Sequence, residues 1–279
     1  MLFRSFTDSV FVANYNALQT GITKRLSHDF QMQASYTWSK NLDEVNGEVG
    51  TDIFELQLPT NNQHDLRGSS YGPSGTDRDQ RIVVSFVWDT PKFTTAPVLA
   101  RQILTGWEFS GIAVFQSGIP LSVFDFNAGS VYALLGGEVR AQRASGNPNL
   151  KTHGSLYSRV LNGYLDPNAF TRAPEAPNGT SLADQDFGNS GVGIVRGPGQ
   201  HNMDLAIERT FPIRDSGQSF RFRTEFFNLT NTPQFGNPNT GLGYTDPTLL
   251  NPSASSTFGK ITGTVANPRI IQFAAKYQF

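Results

Sequence analysis

Several segments of the chain alternate between apolar and polar residues, which is the pattern of β-strands whose two faces meet different surroundings. In the segment FQMQASYTWS, apolar residues occupy every second position from Phe30 to Trp38, and glutamine, serine and threonine fill the positions between them. The segment therefore predicts a strand with one face suited to lipid and one suited to water.

The same alternation recurs in the segments RIVVSFVWD and MDLAIERTF. The positions that share the apolar face are Ile82, Val84, Phe86 and Trp88 in the first segment, and Met203, Leu205, Ile207, Arg209 and Phe211 in the second. The segment GWEFSGIAVFQSG carries apolar residues on both faces, so its pattern does not decide which face is apolar.

The segment SFRFRTEFF has the most firmly determined orientation. Phe220, Phe222 and Phe226 alternate with a polar set, Arg221, Arg223 and Glu225. Turning two arginines toward lipid near the midplane of a bilayer would cost roughly 2–4 kcal/mol each, so the polar set is predicted to face the lumen of a barrel.

The pattern predicts seven long strands, at residues 14–25, 30–40, 79–89, 104–117, 201–211, 219–229 and 269–279. Most of them run about eleven residues, the length at which a tilted strand crosses a bilayer. Their connections alternate between short segments and long ones at 41–78, 118–200 and 230–268. Transmembrane β-barrels have this arrangement, with short periplasmic turns and long extracellular loops.

The alternation thus predicts an all-β, antiparallel fold, and the composition fits a surface with fewer charges and more aromatic rings than water favours. Charged residues make up 16% of the chain and aromatic residues 12%, including 22 phenylalanines, which is fewer charges than an ordinary soluble domain carries. The net charge of −1 gives no basic surface for nucleic acid, and the absence of cysteine removes disulfides and thiol chemistry. The N-terminal segment does not have the pattern of a signal peptide.

Six segments together resemble the C-terminal barrel portion of Oar-like TonB-dependent outer-membrane receptors. They are NYNALQTGITKRLSHDFQMQASYTWSKNLDE, DRDQRIVVSFVWDTP, LTGWEFSGIAVFQSGIPLSV, RGPGQHNMDLAIERTFPI, FRFRTEFFNLTNTPQFGNPNT and NPRIIQFAAKYQF. The likeness follows the order of the strands along nearly the whole chain.

The resemblance implies a barrel of about 22 strands with a plug in its lumen, located in the outer membrane of a Gram-negative-type bacterium. Residues 1–279 correspond to the C-terminal part of that barrel, and we expect the plug domain and the N-terminal strands to lie outside them. The implied activity is energised passage of a large solute, without catalysis. The implied partners are outer-membrane lipid, the barrel-assembly machinery and, through the N-terminal part only, the TonB complex.

The final segment RIIQFAAKYQF predicts an amphipathic strand that ends on an aromatic ring. Its apolar positions Ile271, Phe273, Tyr277 and Phe279 are expected to face lipid, with Ala275 between them. A terminal strand of this kind resembles the signal by which the barrel-assembly machinery recognises its substrates.

No catalytic, cofactor or metal site is predicted. The four histidines lie near turns and loops without a catalytic partner at helical spacing, although one of them could contact a ligand or a metal. Carboxylates in NLDEVNGEVGTD (Asp43, Glu44, Glu48 and Asp52) and in TDRDQR could hold Ca²⁺ in an outer loop, or could be solvated loop charges. The alternative to a barrel segment is a soluble β-rich binding or adhesion module.

Overall fold

A computed structural model describes residues 12–44, 66–125, 140–149, 155–174, 187–213, 218–242 and 257–279. The elements in chain order are β1 (Ala13–Ser27), β2 (Phe30–Asp43), α1 (Leu66–Ser70), β3 (Gly72–Pro73), β4 (Gln80–Asp89), α2 (Val98–Leu104), β5 (Trp107–Gln116), β6 (Pro120–Leu121), β7 (Gln142–Arg143), α3 (Leu156–Asn162), a 3-10 helix (Pro167–Ala169), β8 (Phe170–Thr171), β9 (Val195–Arg196), β10 (Gln200–Pro212), β11 (Ser219–Phe227) and β12 (Ile270–Gln278). None of the helices in these ranges is long and apolar enough to cross a membrane.

The seven predicted strands are all present and form one antiparallel sheet. They are β1, β2, β4, β5, β10, β11 and β12, and they are ordered in space as they are in the chain. The short strand β3 is attached to β2. Each long strand has at least nine residues, which is enough to cross a bilayer. The sheet is open, because β1 and β12 lie at opposite edges.

Strand register gives the sheet two chemically different faces, since residues directly opposite each other on antiparallel strands share a face. We name them the apolar face and the polar face. From β2 to β12, the apolar face carries Phe30, Met32, Ala34, Tyr36, Trp38, Ile82, Val84, Phe86, Trp88, Phe109, Gly111, Ala113, Phe115, Met203, Leu205, Ile207, Phe220, Phe222, Phe226, Ile271, Phe273, Ala275 and Tyr277. This arrangement confirms the antiparallel fold class and unites the separately predicted stripes on one surface.

Register also decides the orientation of β5, which the sequence left open. Phe109 lies opposite Trp88 and Ile207, and Phe115 lies opposite Ile82 and His201. The apolar residues Ile112 and Val114 consequently lie on the polar face. Gly111 gives the ring of Phe86 room on the apolar face, since a Cβ there would lie 2.8 Å from Cε1 of that ring.

Turn chemistry sets the end of the first hairpin. His28 and Asp29 form a two-residue connection between β1 and β2, and both have positive φ angles, of 53° and 59°. Two-residue hairpin turns favour left-handed residues at both positions, because the backbone twist of such a turn matches the twist of the flanking strands. The short connections from β1 to β2, β4 to β5 and β10 to β11 all lie at the same end of the sheet.

One predicted strand boundary is wrong. Leu104 was expected to begin a strand, but it ends helix α2, and β5 begins only at Trp107. Gly106 has a φ of 82°, a left-handed conformation that lets the chain turn from the helix into the strand. The spacing of the apolar residues in VLARQIL fits a helix better than a strand, because Leu99 and Ile103 lie one turn apart.

The hydrophobic core lies in the long connections and not in the sheet. Among the seven long strands, Ala206 is the only buried residue. The core, which we name the loop core, contains Leu121, Val123, Ala141, Tyr164, Leu165, Ala169, Phe170, Val195, Leu242, Phe258 and Ile261. These residues come from the connections that the sequence presented only as long loops, so those connections pack together instead of remaining separate.

Candidate functional site

The polar set predicted on β11 lies on the polar face and is joined by ion pairs to β10. The Glu208 carboxylate lies 3.2 Å from Nε of Arg221 and 3.4 Å from Nη1 of Arg223. Nε of Arg223 also donates to Glu225 at 2.8 Å. Glu208 has a 12% exposed side chain and is the centre of this network. Glu208 was not among the residues predicted from the sequence, although its alternate position in DLAIERT places it on the same face as the polar set.

Three carboxylates lie side by side on the polar face near the short connections. Asp89 on β4 is directly opposite Glu108 on β5, which is opposite Glu208 on β10. Together with Asp29 and Lys92 they line a cleft of about 360 Å³. Arg221 and Arg223 offset this negative charge from β11. The part of the chain that the structure describes contains no group of three or more His, Asp or Glu side chains placed so that they could hold a metal ion.

A second cleft, of about 440 Å³, lies at the other end of the polar face. Its wall combines the apolar side chains Val114, Val265, Phe227 and Ile270 with amide and carboxylate groups from Gln116, Gln200, Asn202, Asp204 and Asn267. A surface of this composition can contact a solute through both apolar and hydrogen-bonding groups. A long connection contributes to this cleft, since residues of the segment 265–268 form part of its wall.

Asn228 builds one wall of this second cleft. Its φ of 52° ends β11, and its backbone N–H donates to Asp204 at 2.8 Å. The side-chain amide donates to the carbonyls of Thr232 and Asn267, and its oxygen accepts from the N–H of Thr232. The side chain thus holds the β11 exit turn against the segment that enters β12, which is a structural role.

Asp77 is the centre of a charge cluster where the long connections meet the sheet. Its side chain is fully buried and accepts from the backbone N–H of Asn41 at 2.6 Å, from Nζ of Lys40 at 3.1 Å and from Nη2 of Arg196 at 2.5 Å. Asp79 shares Lys40 and Arg196 but remains 39% exposed. Burial raises the pKa of Asp77, but these three donors outweigh it and hold the pKa below the ordinary value of 3.8.

This cluster corrects the expectation for the segment TDRDQR. The sequence suggested carboxylates that hold Ca²⁺ or are solvated, whereas Asp77 is buried and neutralised by two cations. In the other acidic segment, Asp43 ends β2 and Glu44 accepts from the N–H of Val12, while Glu48 and Asp52 lie outside the described residues. Arg196 was not singled out, because 119 positions separate it from Asp77.

Buried charges also occur inside the long connections. Asp125 and Arg172 form a pair whose Oδ2–Nε distance is 3.5 Å, and both side chains are nearly inaccessible to solvent. Burial lowers the pKa of Arg140 to about 10 and raises the pKa of Tyr164. A buried ion pair offsets the desolvation of its two charges only when its geometry is good. The pair of Asp125 and Arg172 therefore makes the loop core sensitive to substitution.

The two histidines within the described residues lie on different strands or turns and share no site. His28 lies in the first hairpin turn, and His201 lies on the apolar face of β10, where its ring is parallel to that of Phe115 at 6.4 Å. His64 and His153 lie outside the described residues.

The residues proposed as a C-terminal assembly signal lie on one surface. Ile271, Phe273 and Tyr277 belong to the apolar face of β12, and all three are at least 46% exposed. Phe273 stacks on Phe222 of β11 with 6.3 Å between ring centroids, and Phe279 lies 6.3 Å from Tyr277. The strand and the terminal residue therefore present a row of apolar, mostly aromatic side chains that are about half exposed or more.

Comparison with protein families gives one match that covers most of the chain. The model of the family described as "Outer membrane beta barrel domain" matches residues 5–272. Comparison with curated proteins found no significant match. Comparison with solved structures likewise found none.

Proposed function

Because the chain belongs to the outer membrane beta barrel domain family and is located in the cell outer membrane, we propose that it forms the C-terminal part of a TonB-dependent receptor barrel. In this proposal the apolar face contacts outer-membrane lipid and the polar face lines the lumen. The motifs shared with Oar-like receptors, which follow the order of the strands, support the receptor class. The plug and further N-terminal strands would complete the receptor.

The two open edges of the sheet are the observation that carries this proposal. Among the described residues, no strand pairs with the outer side of β1 or β12. Unpaired backbone groups at such edges cannot face lipid, because the bilayer core offers them no hydrogen-bond partner. Seven is also an odd number, whereas bacterial single-chain barrels use an even number of strands. We therefore propose that further strands close the barrel.

The proposed role is non-catalytic passage of a large solute. Outer-membrane barrel proteins of this family are generally not enzymes, and the polar face offers recognition groups more than reactive ones. The second cleft supplies amide and apolar groups that can contact a solute. The ion pairs between the polar set and Glu208 stabilise the lumen wall. Energy would come from the TonB complex through the N-terminal part of the receptor, and insertion would need the barrel-assembly machinery. We propose no nucleic-acid partner.

Solubility of the isolated chain tests the proposal. Without detergent, residues 1–279 are expected to aggregate, because side chains such as Leu18, Ile22 and Phe273 are more than half exposed. In detergent they are expected to form no barrel that resists SDS unless the missing strands are supplied. Size-exclusion chromatography and heat-shift electrophoresis measure both properties. A stable monomer in plain buffer would instead support a soluble binding or adhesion module.

Replacing Arg223 with leucine tests the role of the polar set. The change removes both ion pairs of Arg223 and leaves Glu208 and Glu225 with fewer partners. Since these groups are partly exposed, we expect a loss of roughly 1 kcal/mol in the free energy of unfolding of the complete receptor. The measurement is urea unfolding of the protein in vesicles, together with its level in the outer membrane.

Lys276→Leu is the matched control, since Lys276 lies opposite Arg221 on the polar face. Within the described residues no carboxylate lies within ion-pair distance of Lys276, so its removal should leave the stability nearly unchanged. Equal stability of the Arg223→Leu and Lys276→Leu variants would contradict the structural role and favour a place for Arg223 on the solute path.

A further inference from the structure

Helix α2 has an apolar stripe that no other part of the described chain covers. At 100° per residue, Leu99, Ala100, Ile103 and Leu104 occupy one side, while Arg101 and Gln102 lie on the other together with the first residue, Val98. Leu99 is 70% exposed and Ile103 is 55% exposed, and the helix has no buried residue. Leaving such residues in water is unfavourable, so the stripe requires an apolar neighbour.

Two side chains of the apolar face hold the C-terminal end of α2. Trp107 and Arg209 lie directly opposite each other on β5 and β10, and register places both on the apolar face. The indole Nε1 of Trp107 donates to the carbonyl of Ile103 at 2.7 Å. The Arg209 guanidinium donates to the carbonyls of Gln102 and Ile103. Since cations and donors stabilise helix C-termini, these contacts fix α2 beside the apolar face.

The same contacts explain why an arginine is tolerated on the apolar face. The guanidinium of Arg209 lies over the rings of Trp107 and Phe211, at 5.0 and 4.8 Å from their centroids. Its two terminal nitrogens donate to the helix, and the guanidinium itself lies against the aromatic rings. An arginine in this setting is suited to the boundary between lipid tails and headgroups, where long cationic side chains reach polar groups.

The position of α2 is at the end of the sheet that carries the short connections, which is the periplasmic end in outer-membrane barrels. The apolar surface continues from the helix onto Phe211, Ile213 and Phe220, all more than 40% exposed at the same end. Aromatic residues at this level form the interfacial girdle of a barrel. The stripe of α2 is therefore continuous with the lipid-contacting surface.

We propose that α2 is an interfacial anchor whose apolar stripe inserts among the phospholipids of the periplasmic leaflet. Leu99, Ile103 and Leu104 enter the boundary between acyl chains and headgroups, and Arg101 and Gln102 remain at the aqueous side. This is the placement expected of an amphipathic helix that lies in the plane of a membrane surface. The anchor would fix the height of β4, β5 and β10 in the bilayer, because α2 follows β4 and its end is held by β5 and β10.

Single-cysteine labelling tests this placement, because residues 1–279 contain no native cysteine and any cysteine elsewhere in the full-length protein is first replaced by serine. Ile103→Cys and Arg101→Cys variants of the full-length protein are labelled with an environment-sensitive fluorophore in vesicles of phosphatidylethanolamine and phosphatidylglycerol. Doxyl-labelled phospholipid should quench the probe at Ile103→Cys several-fold more strongly than the probe at Arg101→Cys. Aqueous iodide should give the opposite order. A Leu99→Cys variant should match Ile103→Cys.

Two outcomes would overturn the proposal. Equal iodide quenching at both positions would place the stripe in water. Protection of the Ile103→Cys probe from both quenchers would mean that a protein surface, and not lipid, covers the helix.

Discussion

Changing Phe279 to aspartate in the full-length protein is expected to lower its level in the outer membrane several-fold. Phe279 is 98% exposed and contacts the ring of Tyr277, which lies opposite Phe220 on β11. We propose that the barrel-assembly machinery recognises the apolar, mostly aromatic surface made by Ile271, Phe273, Tyr277 and Phe279. Aspartate would place a charge and remove a ring at the end of that surface.

The size of the effect distinguishes recognition from stability. A charged residue near the membrane interface costs only about 0–1 kcal/mol, which is too little to unfold a barrel. The fraction of Phe279→Asp protein that does insert should therefore unfold at nearly the same urea concentration as the unchanged protein. A large loss in level with little loss in stability is the result expected for an assembly signal.

Gln278→Asp is the matched control for this prediction. Gln278 lies next to Phe279 in the sequence but on the polar face, opposite Ser219. The same charge introduced there should leave the amount of protein in the outer membrane nearly unchanged. Immunoblots of fractionated membranes give the comparison, and undiminished insertion of the Phe279→Asp variant would refute the proposed signal.

Changing Asp77 to alanine is expected to lower the free energy of unfolding by roughly 3 kcal/mol. This is the low end of the cost of removing one partner from a buried ion pair, because Arg196 and Lys40 keep some access to water. The change also leaves the N–H of Asn41 without its acceptor. Urea unfolding in detergent measures the loss, with Trp38 opposite Gln80 on β4 as a nearby fluorescent probe.

Asp79→Ala is the control, because it removes the same charge from the same two cations. Asp79 is 39% exposed, so its ion pairs with Arg196 and Lys40 are screened by water. We expect a loss of less than about 1 kcal/mol from this variant. Equal losses for the two variants would show that burial of Asp77 does not determine how strongly the long connections are held to the sheet.

The pH dependence of the Asp77 contribution has a definite sign. The pKa of Asp77 in the folded protein is held below its ordinary value of 3.8, chiefly because hydrogen bonds from Asn41, Arg196 and Lys40 outweigh the effect of burial. Folding is therefore favoured by the ionised form, and this contribution is fully present above the ordinary pKa. It is lost as the pH falls through the lower, folded-state value. The stability difference between the unchanged protein and Asp77→Ala should accordingly shrink below about pH 4.

The seven strands could be predicted because their cause is local. In an extended chain, neighbouring side chains point to opposite faces whatever the rest of the protein does. The alternation around Phe30, Phe222 and Phe273 therefore predicted these strands, their boundaries within a few residues and the face on which their rings lie. The one wrong boundary, at Leu104, arose where a helix and a strand both accommodate a short apolar run.

The loop core could not be predicted from the sequence. Phe170 and Phe258 meet edge to face at 6.0 Å although 88 positions separate them, and Val195 joins the same cluster from a third segment. No periodic pattern marks these residues, because the elements that carry them are only two or three residues long. Such contacts are decided by the packing of distant segments.

By itself the sequence determined a two-faced antiparallel sheet of membrane-spanning strands and placed the polar set and the C-terminal aromatic residues on opposite faces. These properties follow from the hydrophobicity of each residue and the two-residue period of an extended backbone. Only the tertiary structure decided the orientation of β5, the burial of Asp77 between Lys40 and Arg196, and the attachment of α2 to Arg209. Each of these depends on strand pairing or on contacts across long stretches of chain, where neighbours in space are not neighbours in sequence.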